Sequence, residues 1–244
     1  MPNGARLRCQ IVADTEAPIA GLREEEIESR WEAAPAVGIV IAMQLVLALV
    51  SRNQAWQLWV FPWWVWLIPI VPELLLLLPL AWRRPRRRLE QLGNRRTVAL
   101  ALLAVVSLAN VLLLVAVIAS LVRGNETSGG QLLLKSLTVW TTNVVAFGLW
   151  YWAFDRGGPM RRLGEDPLPP DFQFPQMENP GLAAPGWRPE LIDYLYVSFT
   201  NSIAFSPTDA MPLSHRAKLL MLAESSASSL TVLLVTARAV NIFK

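Results

Sequence analysis

The chain has 244 residues, 53% of them hydrophobic and 17% charged, with a formal net charge of +3. A soluble globular chain is about 45–50% apolar and about 25% charged, so this composition argues against an ordinary water-soluble domain. The mild positive charge sits mostly in one loop and reads as a topology signal, not a nucleic-acid surface, and the lone Cys9 excludes an internal disulfide.

Residues 1–33 are polar and charged and lack the apolar core of a signal peptide, which predicts a retained cytoplasmic leader. The stretch from Arg23 to Trp31 has only a ragged apolar side, formed by Ile27 and Trp31 with Ile19 and Leu22 before it. A solvated leader ending in an interfacial tryptophan is the simpler reading.

The apolar run over 34–51 predicts a first membrane helix with Gln44 at its middle. A second, over 57–82, opens among Trp56, Trp59, Trp63, Trp64 and Trp66, the residue type that sits at the headgroup level. It also carries Pro62, Pro69, Pro72 and Pro79, each of which removes a backbone bond and kinks a helix. Then come Arg83, Arg84, Arg86, Arg87 and Arg88, with Arg95 and Arg96 close behind, against Glu90 as the one acid. Such a short basic loop marks the cytoplasmic side.

The span over 97–122 is free of charge between its ends and holds Asn110. The next, over 132–154, holds Thr141, Thr142 and Asn143 and ends in the belt Trp150, Tyr151, Trp152. The four helices over 34–154 form one membrane region. Residues 155–188 are a long loop rich in proline and glycine, in which Phe172, Phe174 and Trp187 point to partial packing. A short helix over 189–202 begins with Pro189, Glu190 and Asp193, residues suited to a helix N-terminus. At 1.5 Å per residue it reaches only about 21 Å, too short to cross. The last crossing runs over 217–243.

Two carboxylates fall inside apolar segments, Glu73 and Glu224. A charge there costs roughly 2.5–3.5 kcal/mol on insertion scales, so each is a functional candidate. Glu73 either serves a function or packs inward, protonated or bonded to Asn110, Asn143 or a threonine. Glu224 either faces a central cavity or joins helices beside Ser225, Ser226, Ser228 and Ser229, whose small side chains favour close packing. His215 and Arg238 fit the interface. No metal spacing, phosphate loop, nucleophile elbow or paired catalytic carboxylates are present in the sequence, so neither an enzyme nor a cofactor is expected.

A half-length helix, a polar loop and a full membrane helix form the plan of a channel pore loop. The segment Leu195, Tyr196, Val197, Ser198, Phe199 precedes the loop, Asp209 and Pro212 follow, and Arg216 opens the last helix. In this order and spacing, 190–242 resembles the pore helix, filter and inner helix of two-transmembrane potassium channels. That family reads Thr-Val-Gly-Tyr-Gly-Asp in the filter. Here the positions hold Ala204, Phe205, Ser206, Pro207, Thr208 and Asp209, and only the aspartate matches. Potassium filters aim rings of backbone carbonyls at the ion, and the glycines that permit this are replaced by Ser206 and Thr208. Pro207 further fixes its own φ and lacks an N–H. The resemblance therefore implies a homotetramer and monovalent ions, without a typical potassium filter.

The chain also resembles an uncharacterised bacterial family of multi-pass membrane proteins. The features are Trp150-Tyr151-Trp152, Asp155-Arg156-Gly157-Gly158-Pro159, Phe174-Pro175-Gln176-Met177 and Phe205-Ser206-Pro207-Thr208-Asp209. This likeness implies no established activity. It implies a multi-pass protein of the bacterial inner membrane whose hairpin belongs with its upstream helices.

The expected fold is an all-α polytopic membrane protein with about five crossings and a short re-entrant, pore-like helix over 189–244. The expected function is an ion channel or pore with a non-standard filter loop. A non-conducting scaffold or sensor built on the same hairpin is the alternative. Counting spans from the basic loop places 155–188 and the pore-like loop in the cytoplasm and the C-terminus outside. Potassium channels have the opposite arrangement.

Overall fold

A computed structural model describes residues 33–55, 62–81, 95–122, 129–162, 168–206 and 209–242. Residues 1–32, Trp56, Trp59, the arginine run 83–88, Pro207 and Thr208 lie outside the described residues. Among the described residues the protein is helical apart from one strand pair of two residues each. Its long helices are α1 (Ala33–Asn53), α2 (Ile70–Ala81), α3 (Arg95–Val122), α4 (Gly129–Phe154), α5 (Leu191–Ala204) and α6 (His215–Ile242). Four of them, α1, α3, α4 and α6, are long and apolar enough to cross a membrane, which fits a membrane protein.

The second apolar run departs from a continuous span. A 3-10 turn over Trp63–Leu67 follows Pro62, and α2 starts only at Ile70. Pro69 explains the break. It has no N–H to continue the preceding turn, while its carbonyl accepts the Glu73 N–H at 3.1 Å and founds the new helix. The short helix begins two residues later than expected. Pro189 stays outside, and Asp193 Oδ2 accepts the Glu190 N–H at 2.7 Å as a cap. Burial pushes the Asp193 carboxyl above its usual range.

Apolar side chains order the bundle into layers. One cluster joins Ala36, Val37, Val40 and Ile41 of α1, Ile70 of α2, Leu102, Leu103 and Val106 of α3, Val145, Ala146 and Leu149 of α4 and Leu191 of α5. A second joins Leu47 and Ala48 of α1, Trp66, Leu113, Leu114, Ala116 and Val117 of α3 and Leu132 and Val139 of α4. Thus α1 and α3 run one way and α4 the other, and the end of α2, the start of α3, the end of α4 and the start of α5 share one end of the bundle.

Helix α4 is the hub of this packing, with 67% of its most apolar window buried, against 22% for α6. Gly148 lets α5 come close. A Cβ there would stand 2.7 Å from Leu195 Cδ2 and 3.0 Å from Leu195 Cα.

Candidate functional site

The pairs Val144–Ser198 and Gly148–Leu195 set α5 antiparallel to α4. Tyr151–Glu224 and Asn143–Ser228 set α6 antiparallel to α4 as well. Helices α5 and α6 therefore enter the bundle from the same end. Residues 205–214 join them, turning at Phe205, which closes α5 in the left-handed conformation (φ 54°) with its N–H on Asn201 O at 3.0 Å.

This connection is held from outside by the loop that precedes α5. Strand β1 (Phe172–Gln173) pairs antiparallel with β2 (Met211–Pro212), Phe172 opposite Pro212 and Gln173 opposite Met211. The Leu213 N–H extends the clasp to Asp171 O at 2.8 Å. Phe172 and Phe174 are buried with Tyr151, Tyr194, Ala210, Ala217 and Met221, and Trp187 packs against them. The aromatic residues of the long loop thus do pack, as their composition predicts.

Asp155 anchors the clasp to the end of α4. Its side chain is fully buried. Oδ1 accepts the Asp171 and Phe172 N–H groups at 2.7 and 3.3 Å, and Oδ2 accepts the Tyr194 hydroxyl at 2.5 Å. The chain reaches this geometry through three successive residues of positive φ, Arg156, Gly157 and Gly158. A side chain at Gly158 would meet Ala153 O at 2.9 Å, so the second glycine is a steric need as well. Arg162 closes the corner by donating to Trp152 O at 2.7 Å and lying over the Tyr194 ring at 5.3 Å.

Glu224 is the second hub. It too is fully buried, on the inward side of α6. Oε2 accepts the Tyr151 hydroxyl and the Asn201 amide, the latter at 2.6 Å, and Oε1 accepts the Ser198 hydroxyl. Asn201 spends its remaining groups on Met221 O at 3.2 Å and the Ser225 hydroxyl at 3.0 Å. One carboxyl therefore fastens α6 to both α4 and α5. Deeper along the same seam, Asn110 donates to Asn143 and Asn143 to Ser228, both at 3.1 Å.

The candidate residues divide into two groups. Ala204, Phe205, Ser206 and Asp209 lie together on the exposed end of the hairpin. Asp209 faces the Tyr196 hydroxyl, which its carboxylate holds above the ordinary range. Glu224 lies behind them, inside the packing. Glu73 belongs to neither group. Its partner is Gln44 of α1, whose Nε2 donates to Oε1 at 3.1 Å, in place of the asparagine or threonine that the sequence led us to expect. Asp155, Tyr194, Tyr151, Ser198 and Asn201 carry the site's polar contacts; sequence reasoning assigned none of these contacts and read Tyr151 as part of an interfacial belt, whereas it is fully buried.

Each hub carboxyl accepts from three donors, an arrangement suited to holding helices. Among the described residues, no three His, Cys, Asp or Glu side chains assemble as a metal site. Comparison with known proteins finds no match: no protein family, no curated protein and no solved structure matches the chain.

Proposed function

We propose that the chain is a pore-forming membrane protein whose subunits assemble around the α5–loop–α6 hairpin. Its pore would be lined by the loop end carrying Ser206 and Asp209 and would lack the glycine-built potassium filter. The observation that carries this reading is the hairpin itself. Two helices enter from one end, the first is too short to cross, and the connection between them is exposed yet held in place by the β1–β2 clasp. The weak burial of α6 supports assembly, because its outward face offers Leu219, Leu222 and Leu233 to a neighbour. A homotetramer in the bacterial inner membrane conducting monovalent ions is the form the channel resemblance favours.

The same reading sets the orientation. The ends of α2 and α3 flank the basic loop and share one end of the bundle with the end of α4, so the positive-inside rule assigns the hairpin loop to the cytoplasm. Placing a cysteine at Leu182, which is 89% exposed, in a Cys9→Ser background tests this. An impermeant thiol reagent is expected to label it only from the cytoplasmic face.

Purified protein in liposomes is expected to pass monovalent ions, with flux altered by Asp209→Asn. Oligomeric particles silent at every voltage, pH and ion tested would instead support a non-conducting scaffold or sensor. The burial of Glu224 among internal donors favours that second reading, since this carboxyl binds its own helices and leaves the assembly axis without its charge.

A further inference from the structure

A second polar site lies in the four-helix region, apart from the hairpin. Gln44 of α1 and Glu73 of α2 are both fully buried. One hydrogen bond joins them, from Gln44 Nε2 to Glu73 Oε1 at 3.1 Å. The other atom of each group, Gln44 Oε1 and Glu73 Oε2, has no hydrogen-bond partner among the described residues. Both orphans are acceptors when the carboxyl is ionised, and a buried unpaired acceptor is destabilising, more so when charged.

A single proton removes both deficits. Each orphan is bonded to the same carbon as an atom of the existing hydrogen bond, so the two are the free arms of one amide–carboxyl pair. A proton on Oε2 makes that oxygen a donor, and Gln44 Oε1 is the orphan acceptor on the side chain already bonded to the same carboxyl. The pair then closes as a two-bond ring in which every polar atom has a partner. Among the described residues, no charged side chain is placed along the elements packed against this pair, apart from those at helix ends and Lys135 of α4. Between their ends, α1 and α3 carry no titratable side chain, nor does the 3-10 turn Trp63–Leu67. Arg52, Arg95 and Arg96 stand at helix termini, and Lys135 lies on α4.

We infer that Glu73 and Gln44 form a proton-binding site within the helix bundle: Glu73 carries a proton that Oε2 donates to Gln44 Oε1, and this bridge joins α1 to α2. The ligand is a proton and not a metal cation, because the pair offers a cation two oxygens and the described residues add no cluster of carboxylates or histidines. Loss of the proton leaves a carboxylate facing an amide oxygen, so the α1–α2 contact weakens when the site empties.

The test uses the full chain in phosphatidylcholine liposomes and dicyclohexylcarbodiimide, a lipid-soluble reagent that attacks protonated carboxyls. Peptide mass spectrometry is expected to find the adduct on Glu73 at neutral pH, several-fold reduced at alkaline pH and unchanged by sodium or potassium at fixed pH. Infrared spectroscopy is expected to show a protonated-carboxyl stretch that Glu73→Gln removes. Glu73→Gln also provides a control for folding. Its amide N–H replaces the acid O–H and keeps both bonds, so its stability is expected to equal that of the wild type at neutral pH and not to fall at alkaline pH. Protection by sodium at fixed pH would overturn the proposal in favour of a cation site. An unmodified Glu73 together with an infrared band unaffected by Glu73→Gln would overturn it in favour of an ionised carboxylate.

Discussion

Tyr194 donates its hydroxyl to Asp155 Oδ2 across 2.5 Å, and this bond ties the first turn of α5 to the end of α4. The same carboxylate gathers the two amides that start β1. Removing the phenol oxygen by Tyr194→Phe is expected to cost about 1.5–3 kcal/mol, the range for hydrogen bonds to charged groups. Asp155→Ala strips three donors at once and is expected to cost more. Thermal unfolding in detergent by tryptophan fluorescence measures both. Equal melting temperatures for Asp155→Ala and wild type would show that the clasp stands without this anchor.

Glu224 distinguishes charge from acceptor geometry. In Glu224→Gln the new amide can face Ser198, which then passes its own proton to Val144 O at 2.7 Å. The remaining oxygen still accepts from Tyr151 or Asn201. The substitution is expected to cost less than about 1 kcal/mol, whereas Glu224→Ala leaves buried donors unpaired and opens a void, for about 3 kcal/mol or more. Chemical unfolding in mixed micelles compares them. A loss for Glu224→Gln as large as for Glu224→Ala would mean that the charge itself holds the helices.

The approach of α5 to α4 depends on Gly148. Because a Cβ would fall 2.7 Å from Leu195 Cδ2 and 3.0 Å from its Cα, the helix backbone must yield as well as the side chain. Gly148→Ala is expected to destabilise by about 1–3 kcal/mol despite alanine's better helix propensity. The melting temperature checks this, and an increase would show that α5 can shift outward freely.

Phe205 is an aromatic residue held at φ 54° and 45% exposed. Left-handed backbone costs roughly 1–2 kcal/mol at a residue with a Cβ, so Phe205→Gly is expected to leave the isolated subunit as stable or more so, and Phe205→Val less. Size-exclusion chromatography adds the second readout. If assembly uses this ring, Phe205→Gly weakens the oligomer while the subunit's melting temperature holds.

The long apolar helices were legible because their lengths and compositions match the requirement of lipid, and the break at Pro69 followed from chemistry already visible at that residue. The hairpin, too, was legible in outline. The hubs were not. Nothing local marks Gln44 as the partner of Glu73, since the two lie on different helices and meet only through the packing of α1 on α2. Asp155 left a fainter signal. An acid followed by Gly157 and Gly158 at the end of a helix indicates a sharp reversal, but its amide partners lie at Asp171 and Phe172, across a stretch in which proline obscures any strand pattern.

The clasp also divides the hairpin connection unequally. Six residues, 205–210, separate α5 from β2, whereas only Leu213 and Ser214 separate β2 from α6. The strand pair is therefore close to a rigid extension of α6, and Phe172 ties it to Asp155 at the end of α4. At about 3.3–3.6 Å per residue, the six-residue side alone can extend to roughly 20 Å. The β1–β2 pair thus ties the short side of the connection to α6 and leaves the longer side next to α5.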